Sequence, residues 1–267
     1  MRSQQAKPVV LCISGLDPTG GAGLMADIEA IGANGAHAAP IASMLTVQDT
    51  HGVQRVTPVD ADLMLEQALA ILDDLPVRAI KIGLLGTSKL IISAAAILRS
   101  CPDVPVVLDP VQVSGGGQNM VANDYASMLC DHLLPLCDVI TPNQSEALQL
   151  TNTHDLSQAV DILLKQCRQA VLVTGADMAK DAEVTNTLYM QNGFQQHYQW
   201  QRLPATYHGS GCTLASALAA QLAHDVAIPD AVAQAQSYTW QALNAGAQYS
   251  DGQAMADRLY ALKRNDD

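Results

Sequence analysis

The stretch from Pro8 to Ala33, PVVLCISGLDPTGGAGLMADIEAIGA, decides the fold. Pro8 to Ser14 is an apolar run with the length and β-branched content of a buried strand, and it breaks at Gly15-Leu16-Asp17-Pro18-Thr19-Gly20-Gly21-Ala22-Gly23. Beyond the break Leu24, Ile28 and Ile31 fall on one helical face. A strand, a glycine-rich turn and a helix form the first half of a βαβ unit, and the alternation recurs down the chain.

Further strands are expected at Pro40 to Leu45, Ala79 to Gly83, Val104 to Asp109, Asp138 to Thr141 and Ala170 to Thr174, each followed by turn residues and a helix. Leu65, Leu69 and Leu72 mark another apolar helix face. From Asn186 to Trp200 two alternating runs flank Asn192-Gly193, the signal of a hairpin at one sheet edge. After Gly211 the chain is Ala-rich and helical almost to its end. The expectation is an α/β chain with a mostly parallel sheet. With no linker, repeat or break in composition, a single domain over residues 1–267 is expected.

Composition narrows the function. The 267 residues are 49% hydrophobic and 15% charged, which excludes a disordered chain. Against 26 Asp and Glu stand 14 Lys and Arg, a net charge of -12 without a basic stripe, which argues against nucleic-acid and anionic-membrane roles. An anionic ligand must then be held locally, by backbone amides, helix N-termini or a metal ion. The six cysteines are scattered and form no CxxC, and the N-terminal apolar run is too short for a signal peptide or a span. The expectation is a reduced, cytoplasmic protein.

Four motifs carry chemistry. Gly15 to Gly23 joins strand to helix at the edge where open α/β sheets bind ligands, although it matches neither GxGxxG nor a P-loop, and a plain tight turn accounts for it equally. His208-Gly209-Ser210-Gly211-Cys212-Thr213 opens a helix, so its free amides converge into an anion site. The dipole there is expected to lower the Cys212 pKa below its reference of about 8.5 and make the thiol a base or nucleophile, against the alternative of a small core residue. In Thr141-Pro142-Asn143-Gln144-Ser145-Glu146, Asn143 and Glu146 share one face of a first helical turn. That pair suits Mg²⁺ with most of its waters retained, while a capping box is the favoured local reading. Asp109 ends an apolar strand, and Ser114-Gly115-Gly116-Gly117 behind it suits a flap. His37, His51 and His208 show no metal spacing and read as surface or packing residues.

Together, GLDPTGGAG, the DPV strand end, TPNQSE and HGSGCT resemble, in order and spacing, the ribokinase-like small-molecule kinases. ISGLDPTGGAGLMADIEAIGANGAHAAPIASMLTVQDT is similar to the opening of hydroxymethylpyrimidine and phosphomethylpyrimidine kinases of thiamine synthesis, and so is a cysteine at position 212, where sugar kinases of this fold usually have Asp. The resemblance implies a three-layer fold with helices on both faces of the sheet. It implies ATP- and Mg²⁺-dependent phosphorylation of 4-amino-5-hydroxymethyl-2-methylpyrimidine and of its monophosphate, by a homodimer. Gly209, Ser210 and Gly211 would form the anion hole, Cys212 would take the hydroxymethyl proton, and Asn143, Glu146 and Asp109 would position Mg²⁺. Gly15, Asp27 and Gln48 would line the pyrimidine pocket, the Gln48 amide both donating and accepting.

Two positions depart from the pattern. Gly115 and Thr174 stand where relatives commonly carry Lys, which removes charge suited to an already phosphorylated second acceptor. Three alternatives stay open: a pyridoxine or pyridoxal kinase, whose substrate also offers a hydroxymethyl group on a flat ring; a covalent Cys212 enzyme of the acyl-transfer type; and a non-catalytic pyrimidine-binding relative.

Overall fold

The computed structural model describes residues 6–112, 120–122, 124–175 and 182–265. The first half of the chain forms β1 (Val9–Leu16), α1 (Gly23–Ala33), β2 (His37–Gln48), β3 (Val53–Pro58), α2 (Ala61–Asp74), β4 (Val77–Ile82), α3 (Ser88–Ser100) and β5 (Val106–Leu108). There follow α4 (Tyr125–Met128), which runs on into π and 3-10 turns, then β6 (Val139–Ile140), α5 (Gln144–Thr151), α6 (Leu156–Gln166) and β7 (Ala170–Val173). The remainder is β8 (Glu183–Met190), β9 (Gln195–Gln201), β10 (Tyr207–His208), α7 (Ser210–Ala223), α8 (Ile228–Asn244) and β11 (Ala254–Met255).

Nine strands form one sheet in the order β3-β2-β1-β4-β5-β6-β7-β8-β9. β2 through β7 run parallel, while β3 at one edge and β8 and β9 at the other are antiparallel. β10 and β11 pair as a separate two-stranded sheet. The strand at Val106 to Leu108 is shorter than its apolar run, and β2 is longer than expected because it continues beyond its pairing with β1 to pair with β3. β3 was not expected: β2 leads into an antiparallel strand rather than into a helix. The expected hairpin is present, with Gly193 at φ +85 in its turn.

β1 shows why the layers number three. Val9, Leu11 and Ile13 pack on one side with Met64, Leu90 and Ile91 of α2 and α3, whereas Val10 and Cys12 pack on the other with Leu24, Ile31 and Leu218 of α1 and α7. A strand buried on both faces reads as a continuous apolar run for this reason. α7 lies deepest: every residue from Thr213 to Ala220 is buried, and its run of Ala and Ser lets the backbone lie close to the sheet.

Two helix faces differ from the sequence expectation. Leu24 and Ile31 are buried in α1 but Ile28 is 37% exposed, and α2 buries Met64 and Ala68 while Leu69 is 43% exposed. The buried stripe of α2 is thus turned by one residue from the Leu65, Leu69 and Leu72 face. Among the described residues no helix is long and apolar enough to cross a membrane.

Candidate active site

The carboxyl ends of β1, β4, β5, β6 and β7 open onto one cleft, lined by Ser14, Gly15, Asp17, Leu84, Asp109, Asn143, Glu146 and Thr174, with Gln48 from β2 and Gly209 to Cys212 across from them. The strand order reverses between β1 and β4, so their connections diverge to opposite faces and leave the crevice such sheets use for ligands.

The opening loop is wound around one carboxylate. Asp17 accepts hydrogen bonds from Thr19 N and Thr19 Oγ1, each at 2.8 Å, and from Ala22 N at 2.9 Å. Asp-Pro-Thr-Gly-Gly is Asx-turn chemistry, with Gly20 at φ +79 supplying the left-handed position. His208 Nε2 lies 2.9 Å from Asp17 Oδ2, and the Gln48 amide nitrogen is 3.2 Å from the same ring atom. Burial pushes the Asp17 carboxyl up, but the hydrogen bonds from His208 and Thr19 outweigh it and hold its pKa below the ordinary value. His208 is therefore no surface histidine: it lines the cleft and joins the opening loop to the helix that follows it. Its position directly before Gly-Ser-Gly was the signal available in the sequence.

Gly209 sits at φ +77, where a Cβ would overlap the Gly21 carbonyl oxygen, and it caps α7. The first backbone bond of the helix runs from Thr213 N to Gly209 O at 2.9 Å, so the amides of Ser210, Gly211 and Cys212 precede the ladder and open into the cleft. A Cβ on Gly211 would stand 3.7 Å from both carboxylate oxygens of Asp109. The start of α7 and the end of β5 thus face each other.

The expected lowering of the Cys212 pKa is corrected. Burial pushes the thiol up to about 12; Lys81 and a backbone bond from Gly23 pull it down, while Asp109 and Asp27 push it up. Desolvation and two carboxylates outweigh the helix dipole, so the resting group is a thiol. Burial likewise raises the Asp109 pKa, with Lys81 opposing, and its Oδ2 is a buried oxygen without a hydrogen-bond partner.

Asp27 does not line the cleft. It is fully buried beneath it, with Lys81 Nζ at 2.8 Å and Ser216 Oγ at 2.7 Å from Oδ1. Lys81 also donates to Ser14 Oγ at 2.9 Å, and Ser14 is part of the cleft lining. Burial alone would push the Lys81 pKa down, but Asp27, with Cys212 and Asp109, holds the ammonium well above its usual range. The sequence reading missed this cation, although a lone Lys inside Ala79-Ile80-Lys81-Ile82-Gly83 was its mark.

Asn143 and Glu146 close a capping box, with Glu146 N donating to Asn143 Oδ1 at 2.8 Å and Asn143 N to Glu146 Oε2 at 2.9 Å. The box and a cation role are compatible, because each acceptor oxygen keeps a second lone pair. Among the described residues no group of three or more His, Cys, Asp or Glu makes a closed metal cage. A sparse oxygen set around the orphaned Asp109 Oδ2 fits Mg²⁺ that keeps its waters. Thr174 bridges Asn143 and lines both this cleft and a second one, shared through Tyr207, Ser210 and Gly211, that runs on toward Trp200 and Trp240. The flap residues Ser114 to Gly117, with Gly115, lie outside the described residues.

Comparison with known proteins meets this geometry. The family model for phosphomethylpyrimidine kinase matches residues 17–257, from the Asp17 turn to the end of the β11 segment. The chain belongs to the phosphomethylpyrimidine kinase family. Within it, a hydroxymethylpyrimidine/phosphomethylpyrimidine kinase of Streptomyces coelicolor is 34% identical over 96% of this chain and 96% of its own. One from Rhizobium meliloti is 34% identical over 92% and 94%. Among solved structures, an ADP complex of Bacillus subtilis pyridoxal kinase superposes with TM-score 0.86 at 26% identity, over 96% of this chain and 100% of the other. The Clostridium difficile phosphomethylpyrimidine kinase does so with TM-score 0.75 at 29% identity, over 87% and 98%. The phosphomethylpyrimidine kinase family thus accounts for the order of motifs along the chain, and the three-layer fold is shared with the pyridoxal kinases.

Proposed function

We propose that the chain acts as one kinase domain that transfers the γ-phosphoryl group of ATP to the hydroxymethyl group of 4-amino-5-hydroxymethyl-2-methylpyrimidine, with the monophosphate as a second, poorer acceptor. The observation that carries this reading is that the start of α7, Cys212 included, and Asp109 at the end of β5 line one cleft, with a Cβ on Gly211 only 3.7 Å from both Asp109 oxygens. Phosphoryl transfer asks for positioning, charge neutralisation and a destination for one proton, and the cleft offers all three without net positive charge.

The ring would lie between Gly15 and Gln48, and the phosphates would meet the amides of Ser210 and Gly211. The nucleotide body would occupy the second cleft, which opens from the same two residues. Asn143 and Glu146 would hold Mg²⁺ through water, faced by Asp109 Oδ2; when bound, the ion neutralises phosphate charge. As the substrate oxygen bonds to the γ-phosphorus, the bond from that phosphorus to the β-phosphate bridging oxygen breaks and ADP leaves; the hydroxyl proton passes to Cys212 Sγ while the thiol proton passes to Asp109. The second acceptor is poorer because Thr174 offers a hydroxyl where a lysine would meet its phosphate.

A competition assay tests the choice of substrate. With ATP, Mg²⁺ and equal amounts of the pyrimidine alcohol and pyridoxal, mass spectrometry is expected to find mainly the pyrimidine phosphate. Pyridoxal phosphate as the main product would favour the pyridoxal kinase reading, to which the solved neighbours are also similar.

A further inference from the structure

Arg258 follows the last residue matched by the family model and is 2% exposed, a permanent charge buried far from its chain neighbours in sequence. Its guanidinium binds two loops at once. Nε donates to Thr213 Oγ1 at 2.8 Å, Nη1 to Gly20 O at 3.3 Å and Glu29 Oε2 at 3.1 Å, and Nη2 to Gly21 O. Thr213 Oγ1 in turn donates to Gly209 O at 2.8 Å. A Cβ on Gly209 would stand 2.7 Å from Nη2, so the guanidinium is packed against the residue that caps α7. Among the described residues its carboxylate partner is Glu29, whose side chain is a third exposed.

We propose that Arg258 is a positioning residue for phosphoryl transfer: it clamps the Gly20-Gly21 turn to the start of α7, fixes the Gly209 carbonyl through Thr213, and keeps a positive charge behind the anion hole. The Gly20 and Gly21 carbonyls end on the guanidinium, so their negative ends are neutralised at the back of the site. Thr213, one turn into α7, is held between Arg258 and Gly209, which fixes the direction of the amides between them. A planar fork fills these roles together, whereas a lysine has the charge without the fork. In a chain of net charge -12, with Thr174 at the cleft, this is a cation placed close to the α7 N-terminus but outside the cleft lining.

The inference rests on the kinase reading, and the test separates the two. Wild type, Arg258→Ala, Arg258→Lys and Glu29→Gln are compared in steady-state turnover with ATP, Mg²⁺ and the pyrimidine alcohol. The same proteins are titrated with Mg-ATP by calorimetry and melted by circular dichroism. Arg258→Ala is expected to lower kcat by about 100-fold, the cost of misplacing an oxyanion donor. It should also weaken Mg-ATP binding and change kcat more than the KM for the pyrimidine, because the clamp holds the start of α7 directly and reaches the Gln48 contact only through His208. Millimolar methylguanidinium should restore part of kcat in Arg258→Ala. Arg258→Lys, which keeps the fold if the alanine variant does not, should lose about tenfold in kcat, and Glu29→Gln should match wild type. A folded Arg258→Lys or Arg258→Ala with wild-type kcat and Mg-ATP affinity, or a variant that loses only melting temperature, overturns the role of Arg258. Absence of turnover in the wild type would instead strike the kinase reading, with the calorimetric comparison still deciding whether Arg258 shapes the phosphate site.

Discussion

Lys81 Nζ lies 2.8 Å from Asp27 Oδ1, and neither side chain has any exposed surface. The pair joins β4 to α1 under the cleft, and Ser216 Oγ, 2.7 Å from Asp27 Oδ1, adds α7 to the same node. Buried ions of this kind are costly to separate, because removing one leaves the other uncompensated. Lys81→Met or Asp27→Asn is expected to destabilise the protein by about 3–5 kcal/mol in urea unfolding, and Lys81→Met with Asp27→Leu by less than the sum. Since the Lys81 pKa is raised on folding, its contribution is complete below about pH 10, the unfolded value, and fades only as pH rises through the folded one. Compared with Lys81→Met plus Asp27→Leu, which leaves no buried ion, the wild-type contribution of the pair should therefore be flat from pH 6 to about pH 9; a difference that grows or shrinks across that window would show that the ion pair is not its source.

The Cys212 thiol, raised to about 12, should be a slow nucleophile. At pH 8 roughly one part in 10⁴ is thiolate, so its alkylation by iodoacetamide, followed by peptide mass spectrometry, should be far slower than that of glutathione and rise tenfold per pH unit. A rate that levels off near pH 8 would restore the thiolate expected from the helix dipole. Cys212→Ala should lower kcat by roughly 100- to 10,000-fold, the range for a positioned proton acceptor, with little change in melting temperature.

Gly209 and Gly211 separate folding from chemistry within three residues. Gly209→Ala puts a side chain at φ +77 against the Gly21 carbonyl and should cost stability, by about 1–2 kcal/mol for the backbone alone. Gly211→Ala meets only the Asp109 oxygens at 3.7 Å, an ordinary contact. It should melt like wild type and still lose turnover, because the methyl group intrudes between anion hole and carboxylate. Equal melting of the two variants would contradict this division.

Asp17 has a lowered pKa when folded, so the stability it contributes is present above its unfolded value of about 4 and is lost as pH falls through the lower folded value. Asp17→Asn should accordingly be less stable than wild type at pH 6, with the gap closing as pH drops below about 4. A constant gap down to pH 2 would mean that the carboxylate charge is irrelevant to the loop.

The parallel sheet was legible because buried strands such as Val9 to Ile13 are apolar on both faces, and the Gly-rich turns fixed where the chain leaves the sheet. β3 was not, since Val53–Pro58 is short and mostly exposed and takes its place from pairing with the overlong β2. The shifted stripe of α2 follows from the same limit: Leu69 and Met64 are equally apolar, and only the packing of α2 on the sheet chooses between them. In the site, Gly209 to Cys212 announced themselves by spacing, whereas the rise of the Cys212 pKa comes first from burial, which only the folded packing sets, and then from Asp109 and Asp27, 103 and 185 residues away. Asp27 was drawn into the pocket by its place in the opening motif; the direction it takes, inward to Lys81, is set by the helix register.

The central claim is that this cleft phosphorylates a pyrimidine alcohol. Its most direct test is a coupled ADP-release assay with ATP and Mg²⁺, run in parallel on the hydroxymethylpyrimidine, its monophosphate and pyridoxal. The expected result is the highest kcat/KM on the alcohol, a lower value on the monophosphate and the least on pyridoxal. No ADP release above background with either pyrimidine would contradict the account.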